Sequence, residues 1–547
     1  MSDMKTRYPA PEIILYNGFF AARDTAAPII AGAQALAIGR GRIMAIGSND
    51  DILPLDSADT EKIDLGGRLT VPGFIDAHIH FYEWSFKRRD LQLEGLGCLD
   101  DLLEMVRQKG ERLPSDQWIM GQGWNETDWS EPVMPSRTTL DKAAPNHPVL
   151  LWRCDLHLAV ANSRALELAG IDASTADPPE GRIERDGAGE PTGVLRELAI
   201  NLLRKSVEPP GSAQVLDAFS EGARALHKIG ITGIHDVRLM EDSDSARALQ
   251  GFQKLDEQGG LELRSWVTLP GHQLDDIIRL GLRSGFGGDK LRLGHVKFFS
   301  DGGMGARTAW MIEPFLDAGC GMPMLDMDEL SRDIAKAEAA GLAVMVHAVG
   351  DRANRELIDI FEKLQENRGN GGNRPAYPHR IEHVQMIRPE DARRLGNLDL
   401  ALCVTPCNMV LDFNLIDQAV GEKGKWTYAF RRLMDTGAPV MFSSDCPVCL
   451  PAPLPAIHAA VTRQRLDGTP AEGWHAGERV SVAEALNGFT AVPAMVHKAD
   501  DLGVIAIGMK ADLAVLSNNI LAEPPEHIAK TSVDMTIFDG RVVHRLF

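Results

Sequence analysis

The chain runs to 547 residues, 44% hydrophobic and 24% charged, a globular mix with room for a large core and more than one domain. Its 77 acidic against 57 basic residues give a formal net charge of −20, which argues against nucleic acid or an anionic membrane as a partner. Met1–Arg7 lead into no apolar stretch, no apolar run is long enough to span a bilayer, and seven scattered cysteines make no disulfide framework, so the expected setting is the cytoplasm.

Residues 12–69 hold short alternating apolar pieces, Ile13–Gly18, Ala35–Gly39 and Arg42–Gly47. Residues 502–546 repeat the habit with Ala511–Leu516 and Val533–Gly540. Asn-Gly and Asp-Gly pairs punctuate these segments, the signal for strands and hairpins. Neither end is large enough to bury a core alone. Residues 1–69 and 500–547 are therefore expected to build one composite β-sandwich around a barrel domain, residues 70–499.

Within 70–499, short apolar runs alternate with helical patterns such as Met327–Ala340 and Ala353–Asn367, the signature of parallel βα units. The runs are Val71–His80, Gly230–Asp236, Leu263–Leu269, Leu293–Phe299, Leu342–His347, His379–Val384, Leu400–Thr405 and Ala438–Asp445. Eight such units close a (β/α)₈ barrel of the α/β class, whose site lies at the C-terminal strand ends. A long insertion, residues 85–215, follows the first run and carries Trp, Gly and charge; it is expected to act as a lid or specificity element.

Polar residues fall at the strand ends. His78 and His80 are two apart, so a strand aims both to one side, where they can grip one divalent ion. His347, His383 and Asp445 close the fifth, sixth and eighth runs, and Lys297 lies on the fourth. Any single one of the 16 histidines reads more readily as structural than as a ligand, and an Asp after a strand often caps a helix. Their coincidence at the ends of strands one, four, five, six and eight is what points to a metal-dependent hydrolase. An ammonium has no lone pair, so Lys297 joins the set only if desolvation lowers its pKa and CO₂ carbamylates it, which would bridge two metals. One or two ions of the zinc type are expected, with manganese and iron also compatible with these donors.

The motifs resemble those of the amidohydrolase superfamily, within it the YtcJ-like branch that includes N-substituted formamide deformylases. They are Pro72–His80, Lys297–Gly302 with Arg307-Thr308-Ala309, His347–Ala353, Arg380–His383 and Ser444–Val448, with Gly123–Glu126, Asn162–Leu166 and, more loosely, Gly503 with Met509–Leu513. The resemblance spans nearly the whole chain. It implies hydrolysis of a carbon–nitrogen bond in a small molecule, an amide, formamide or N-acyl compound. Asp445 would then bind metal and serve as general base and acid. A cyclic amide or carbamate hydrolase, or a deaminase, is the alternative enzyme; a non-catalytic scaffold would have lost ligands, and all six are present. Homodimerisation is a base-rate expectation only.

Asp76 and Glu382 neighbour the ligands and are expected to hydrogen-bond imidazole N–H groups. Asp301, Arg307 and Arg352 follow strand ends, and Trp124, Asp155 and His157 lie in the insertion; all six are candidates for substrate contact, and ordinary packing or ion pairing explains each equally well. The chain departs from relatives at Cys446 and Cys449, where relatives have Ser-Asp-Trp-Pro-Val, and at Cys403 and Cys407 around Thr405-Pro406. The C-x-x-C could be a redox pair or soft ligand, but small side chains packing a loop is the favoured reading.

Overall fold

The computed structural model describes residues 10–154, 157–179, 181–238, 245–368 and 374–547. Eight parallel strands form its largest sheet: β1 (Phe74–Ile79), β2 (Ile231–Asp236), β3 (Arg264–Pro270), β4 (Leu291–Phe299), β5 (Val344–Ala348), β6 (His379–His383), β7 (Leu400–Val404) and β8 (Val440–Phe442). Each pairs in parallel with the next, with register shifts between β1 and β2 and between β3 and β4. The ring closes beyond the end of β8, where Asp445 N–H donates to His78 O at 2.8 Å and His80 N–H to Cys446 O at 2.8 Å. These strands are buried on both faces, which is why they read as continuous apolar runs.

The helices between them are amphipathic. The one over Asp351–Asn367 buries Ala353, Asn354, Leu357, Ile358, Ile360 and Phe361, mostly three or four residues apart, and turns its charged positions outward except Asp351 in the first turn, which is buried. Gly350, before it, accepts no side chain: a Cβ there would lie 2.0 Å from Trp310 O.

The first strand differs from its expected limits. Leu69–Pro72 is a separate strand pairing antiparallel with Leu513–Leu516, so Val71 and Pro72 leave the barrel. Gly73 makes the step between the two sheets, its N–H donating to Asp512 O. A Cβ on Gly73 would meet Thr232 Oγ1 at 2.2 Å. Leu69–Pro72 belongs to a five-stranded sheet with Phe19–Phe20, Leu513–Leu516, Val533–Phe538 and Arg541–Arg545; a second sheet holds Arg42–Gly47, Ala35–Gly39, Ile13–Tyr16 and Glu61–Asp64. Alternation sorts their side chains: Leu15, Leu36, Ile38 and Ile63 meet Leu513, Val515, Met535 and Ile537 between the sheets, while Ile14, Ala35 and Ala37 pack outward against Ile52. Buried Arg264, at the start of β3, ties barrel to sandwich by ion pairs with Asp512, Asp289 and Asp539 at 2.6–2.9 Å.

The insertion is a folded unit of its own, Glu83–Ala218. Its six-stranded sheet runs Gly181–Arg185, Pro191–Glu197, Leu158–Ala161, Val149–Arg153, Ile119–Trp124, Leu91–Gln92. Both faces are covered. Val149, Leu151, Leu158 and Val160 pack on one side with Leu102 and Val106, and Leu150, Ala159 and Ala161 on the other with Leu166 and Leu203.

Candidate metal centre

At the end of β1, pleating sends His78 and His80 to the same side, and both are buried. His78 Nδ1 meets Glu382 Oε2 at 2.6 Å, and His80 Nδ1 donates to Val237 O at 2.9 Å. With each Nδ1 so engaged, both Nε2 atoms turn to Asp445 Oδ1, each at 3.4 Å. Donor atoms of His78, His80 and Asp445 all lie within 4.8 Å of one another. Histidines that hold a metal commonly have their second nitrogen fixed in this way.

Asp445 sits three residues beyond β8 with φ 56°, a left-handed turn locked by its N–H bond to His78 O. His383 Nδ1 is 4.0 Å from Asp445 Oδ2, its ring centroid 5.2 Å from that of His78 and 4.6 Å from that of His347. His347 Nε2 donates to Gly302 O at 3.2 Å, leaving Nδ1 a lone pair. Lys297 is buried on β4, its Nζ over the Phe299 ring at 4.7 Å. The structure thus gathers the six residues at one end of the barrel.

The electrostatics favour cation ligands. Burial holds three of the imidazoles neutral: His78 falls to about 4 and His383 to about 3, and His347 lies well below its ordinary value. Burial alone would raise the Asp445 carboxyl, but His383, His80 and His78 outweigh it and hold it well below the carboxylate range. Burial lowers Lys297 to about 8, against the opposing pull of Glu382 and Asp445. The set therefore offers neutral nitrogens, an ionised carboxylate and an amine that readily loses its proton, a donor set that fits zinc-type ions.

Arg380 and Glu382 lie two apart on β6 and so share a side. Arg380 donates through Nε to Glu382 Oε1 and through Nη2 to Oε2, both at 2.9 Å, and through Nη2 to Ala77 O at 2.7 Å. Neither residue is exposed to solvent. Reading Glu382 alone from the sequence missed this clamp, which the spacing in Arg380-Ile381-Glu382 could have signalled. Asp76 departs from its expected role: it accepts from the backbone N–H of His78 and of Ser444 and from the Ser444 hydroxyl at 2.6 Å, not from an imidazole. Burial lifts it to about 6.

The remaining candidates have local partners of their own, and Asp301 Oδ1 also lies 3.8 Å from His347 Nε2. Asp301 is wholly buried and accepts from the N–H groups of Val349, Gly350 and Trp310, tying the loop after β4 to the helix after β5. Arg307 pairs through two bonds of 2.8 Å with Asp317, and Arg352 lies over the Trp310 ring at 4.6 Å. Trp124 is buried in the insertion's own core against Trp129, its indole N–H reaching Leu151 O. His157 is exposed and paired with Glu197, and Asp155 lies outside the described residues. Among the described residues all seven cysteines are free thiols. Cys446 is buried in the closing loop, and Cys449 Sγ donates to Asn408 Oδ1 at 2.6 Å.

A family model described as "Amidohydrolase family" matches residues 61–544. YtcJ of Bacillus subtilis (strain 168), by name an amidohydrolase candidate, is 31% identical, covering 89% of this chain and 91% of its own. The N-substituted formamide deformylase of Arthrobacter pascens is 27% identical over 93% and 94% of the two chains. The crystal structure of an uncharacterized metal-dependent hydrolase from Pyrococcus furiosus superposes with a TM-score of 0.75, at 28% identity over 93% of this chain and 99% of the other.

Proposed function

The chain belongs to the amidohydrolase family, a family of hydrolytic enzymes, and from that premise we propose a metal-dependent hydrolase that cleaves a carbon–nitrogen bond in a small amide, formamide or N-acyl compound. The observation that carries the reading is the pair of His78 and His80 Nε2 atoms converging on Asp445 while their Nδ1 atoms are held from behind. His78, His80, His347, His383 and Asp445 would hold the ion or ions. Once bound, a divalent ion supplies a polarised substrate carbonyl and a water acidified toward neutral pH.

The residues supply the rest. Asp445, held ionised, accepts a proton from the attacking water at a carboxylate oxygen and returns it to the departing nitrogen, so that amide and water become acid and amine. Glu382 keeps the His78 ring from turning. Lys297, if it takes up CO₂, first loses the ammonium proton, then forms a bond from its amine nitrogen to the CO₂ carbon and loses a second proton, which converts a cation into an anionic oxygen donor. Support for that step is its burial and its lowered pKa.

The test is a hydrolysis screen of N-formyl, N-acetyl and cyclic amides with zinc-loaded protein, paired with Asp445→Asn. Turnover of a linear N-acyl or N-formyl compound that falls at least about 100-fold in Asp445→Asn is the expected result. Turnover confined to cyclic amides would favour the ring-opening alternative. Protein that binds no metal and turns over nothing would overturn the hydrolase reading altogether.

A further inference from the structure

One step down the strands from the ligands lies a second histidine cluster. His295 is two residues before Lys297 on β4, His235 is on β2, and His497 follows the helix Ala491–Val496. All three are at most 1% exposed, and one ring nitrogen of each lies within 4.8 Å of one of each of the others. The His235 and His497 ring centroids are 3.7 Å apart, and Trp266 stacks on His235 at 5.2 Å.

The outward nitrogens fix the tautomers. His295 Nε2 donates to Pro378 O at 3.0 Å and His497 Nδ1 to Pro493 O at 2.7 Å, so His295 Nδ1 and His497 Nε2 are bare lone pairs. His235 is the reverse case. Its Nδ1 lies 2.8 Å from Arg380 Nη1, and a guanidinium can only donate, so Nδ1 accepts and Nε2 carries the proton. None of the three inward atoms has a hydrogen-bond partner among the described residues. The cluster thus offers one N–H and two lone pairs. That is the complement of one water molecule, which accepts once and donates twice. It does not suit a cation, which would need a third lone pair and would sit beside Arg380 with no carboxylate in the cluster.

We propose that His235 is a positioning residue for the metal centre: locked in one tautomer by His295, His497 and an internal water, it holds Arg380, which clamps Glu382 against His78. The path is continuous. Arg380 spends Nη1 on His235, Nε and Nη2 on the two oxygens of Glu382, and Nη2 again on Ala77 O one residue before His78. Glu382 Oε2 then meets His78 Nδ1 at 2.6 Å. Without an acceptor at His235, the guanidinium keeps a buried N–H unpaired and swings to satisfy it, which loosens the grip on Glu382.

This inference rests on His78 being a metal ligand, and the test separates the two. Zn²⁺ affinity is measured by chelator competition on full-length His235→Leu and His235→Gln, the glutamine keeping an oxygen that can accept from Arg380. The leucine variant should bind Zn²⁺ about 10- to 100-fold more weakly, with affinity restored to within about threefold of the parent in the glutamine variant. A folded leucine variant that binds Zn²⁺ as the parent does overturns the proposal. A parent that binds no Zn²⁺ indicts the hydrolase reading instead. If the leucine variant does not fold, or no Zn²⁺ binds, long-range ¹H–¹⁵N spectra of histidine-labelled native protein decide: His235 protonated at Nε2 alone supports the arrangement, and a proton on Nδ1 overturns it.

Discussion

Lys297 carries the most quantitative expectation. An exposed lysine has a pKa near 10.4, so at pH 7.5 only about 0.1% of it is the neutral amine that can attack CO₂. Burial in the barrel brings Lys297 to about 8, with Glu382 and Asp445 opposing the drop. About a quarter of the amine is then neutral at pH 7.5, roughly 200-fold more than for an exposed lysine. The perturbation is the supply of ¹³C-bicarbonate to metal-loaded protein across pH 6.5 to 9, with Lys297→Met as control. One labelled carbamate carbon per chain is expected by ¹³C NMR, rising steeply below pH 8 and flattening above it, and absent from the methionine variant. Fully active, metal-loaded protein carrying no label at pH 8.5 would refute the carbamate and leave Lys297 as an amine.

Burial of histidines sets a pH dependence of stability. His78, His235, His295, His347, His383 and His497 are all held below the ordinary imidazole value by desolvation, and in the unfolded chain they regain a pKa near 6.5. The unfolded state therefore binds more protons below that pH, and metal-free protein should melt at progressively lower temperature as pH falls from about 7 to 5; a flat melting midpoint would contradict the neutral assignment. With metal present the loss of stability should begin at lower pH, because ion and proton compete for the His78 nitrogen, which melting with and without added metal would check. Gly73→Ala places a methyl carbon 2.2 Å from Thr232 Oγ1 and should cost about 1–3 kcal/mol of stability, read as a lower melting midpoint; an unchanged midpoint would mean the junction yields freely.

Much of the barrel was legible because its strands are buried on both faces and end in polar residues, a contrast that periodicity alone displays. The limits of β1 were not, because Leu69–Ile75 is apolar but for Thr70 and only Gly73 marks the passage from one sheet to another. The candidate ligands could be picked out one strand at a time. The Arg380–Glu382 clamp was within reach of the two-residue spacing, whereas His235, His295 and His497 come from three distant segments whose meeting only the closed barrel creates. Asp76 shows the limit of proximity arguments. It neighbours a ligand in sequence, yet its carboxylate is consumed by backbone N–H groups that hold the ends of the ring together.

The seam that joins Asp445 to His78 and His80 to Cys446 has a consequence for how the protein is made. Two histidines from the first strand acquire their carboxylate neighbour only when a turn more than three hundred residues later has left the ribosome and docked. In a nascent chain that has emitted only its early strands His78 and His80 have no Asp445 beside them, and the three-residue cluster exists only once the circle of strands is complete.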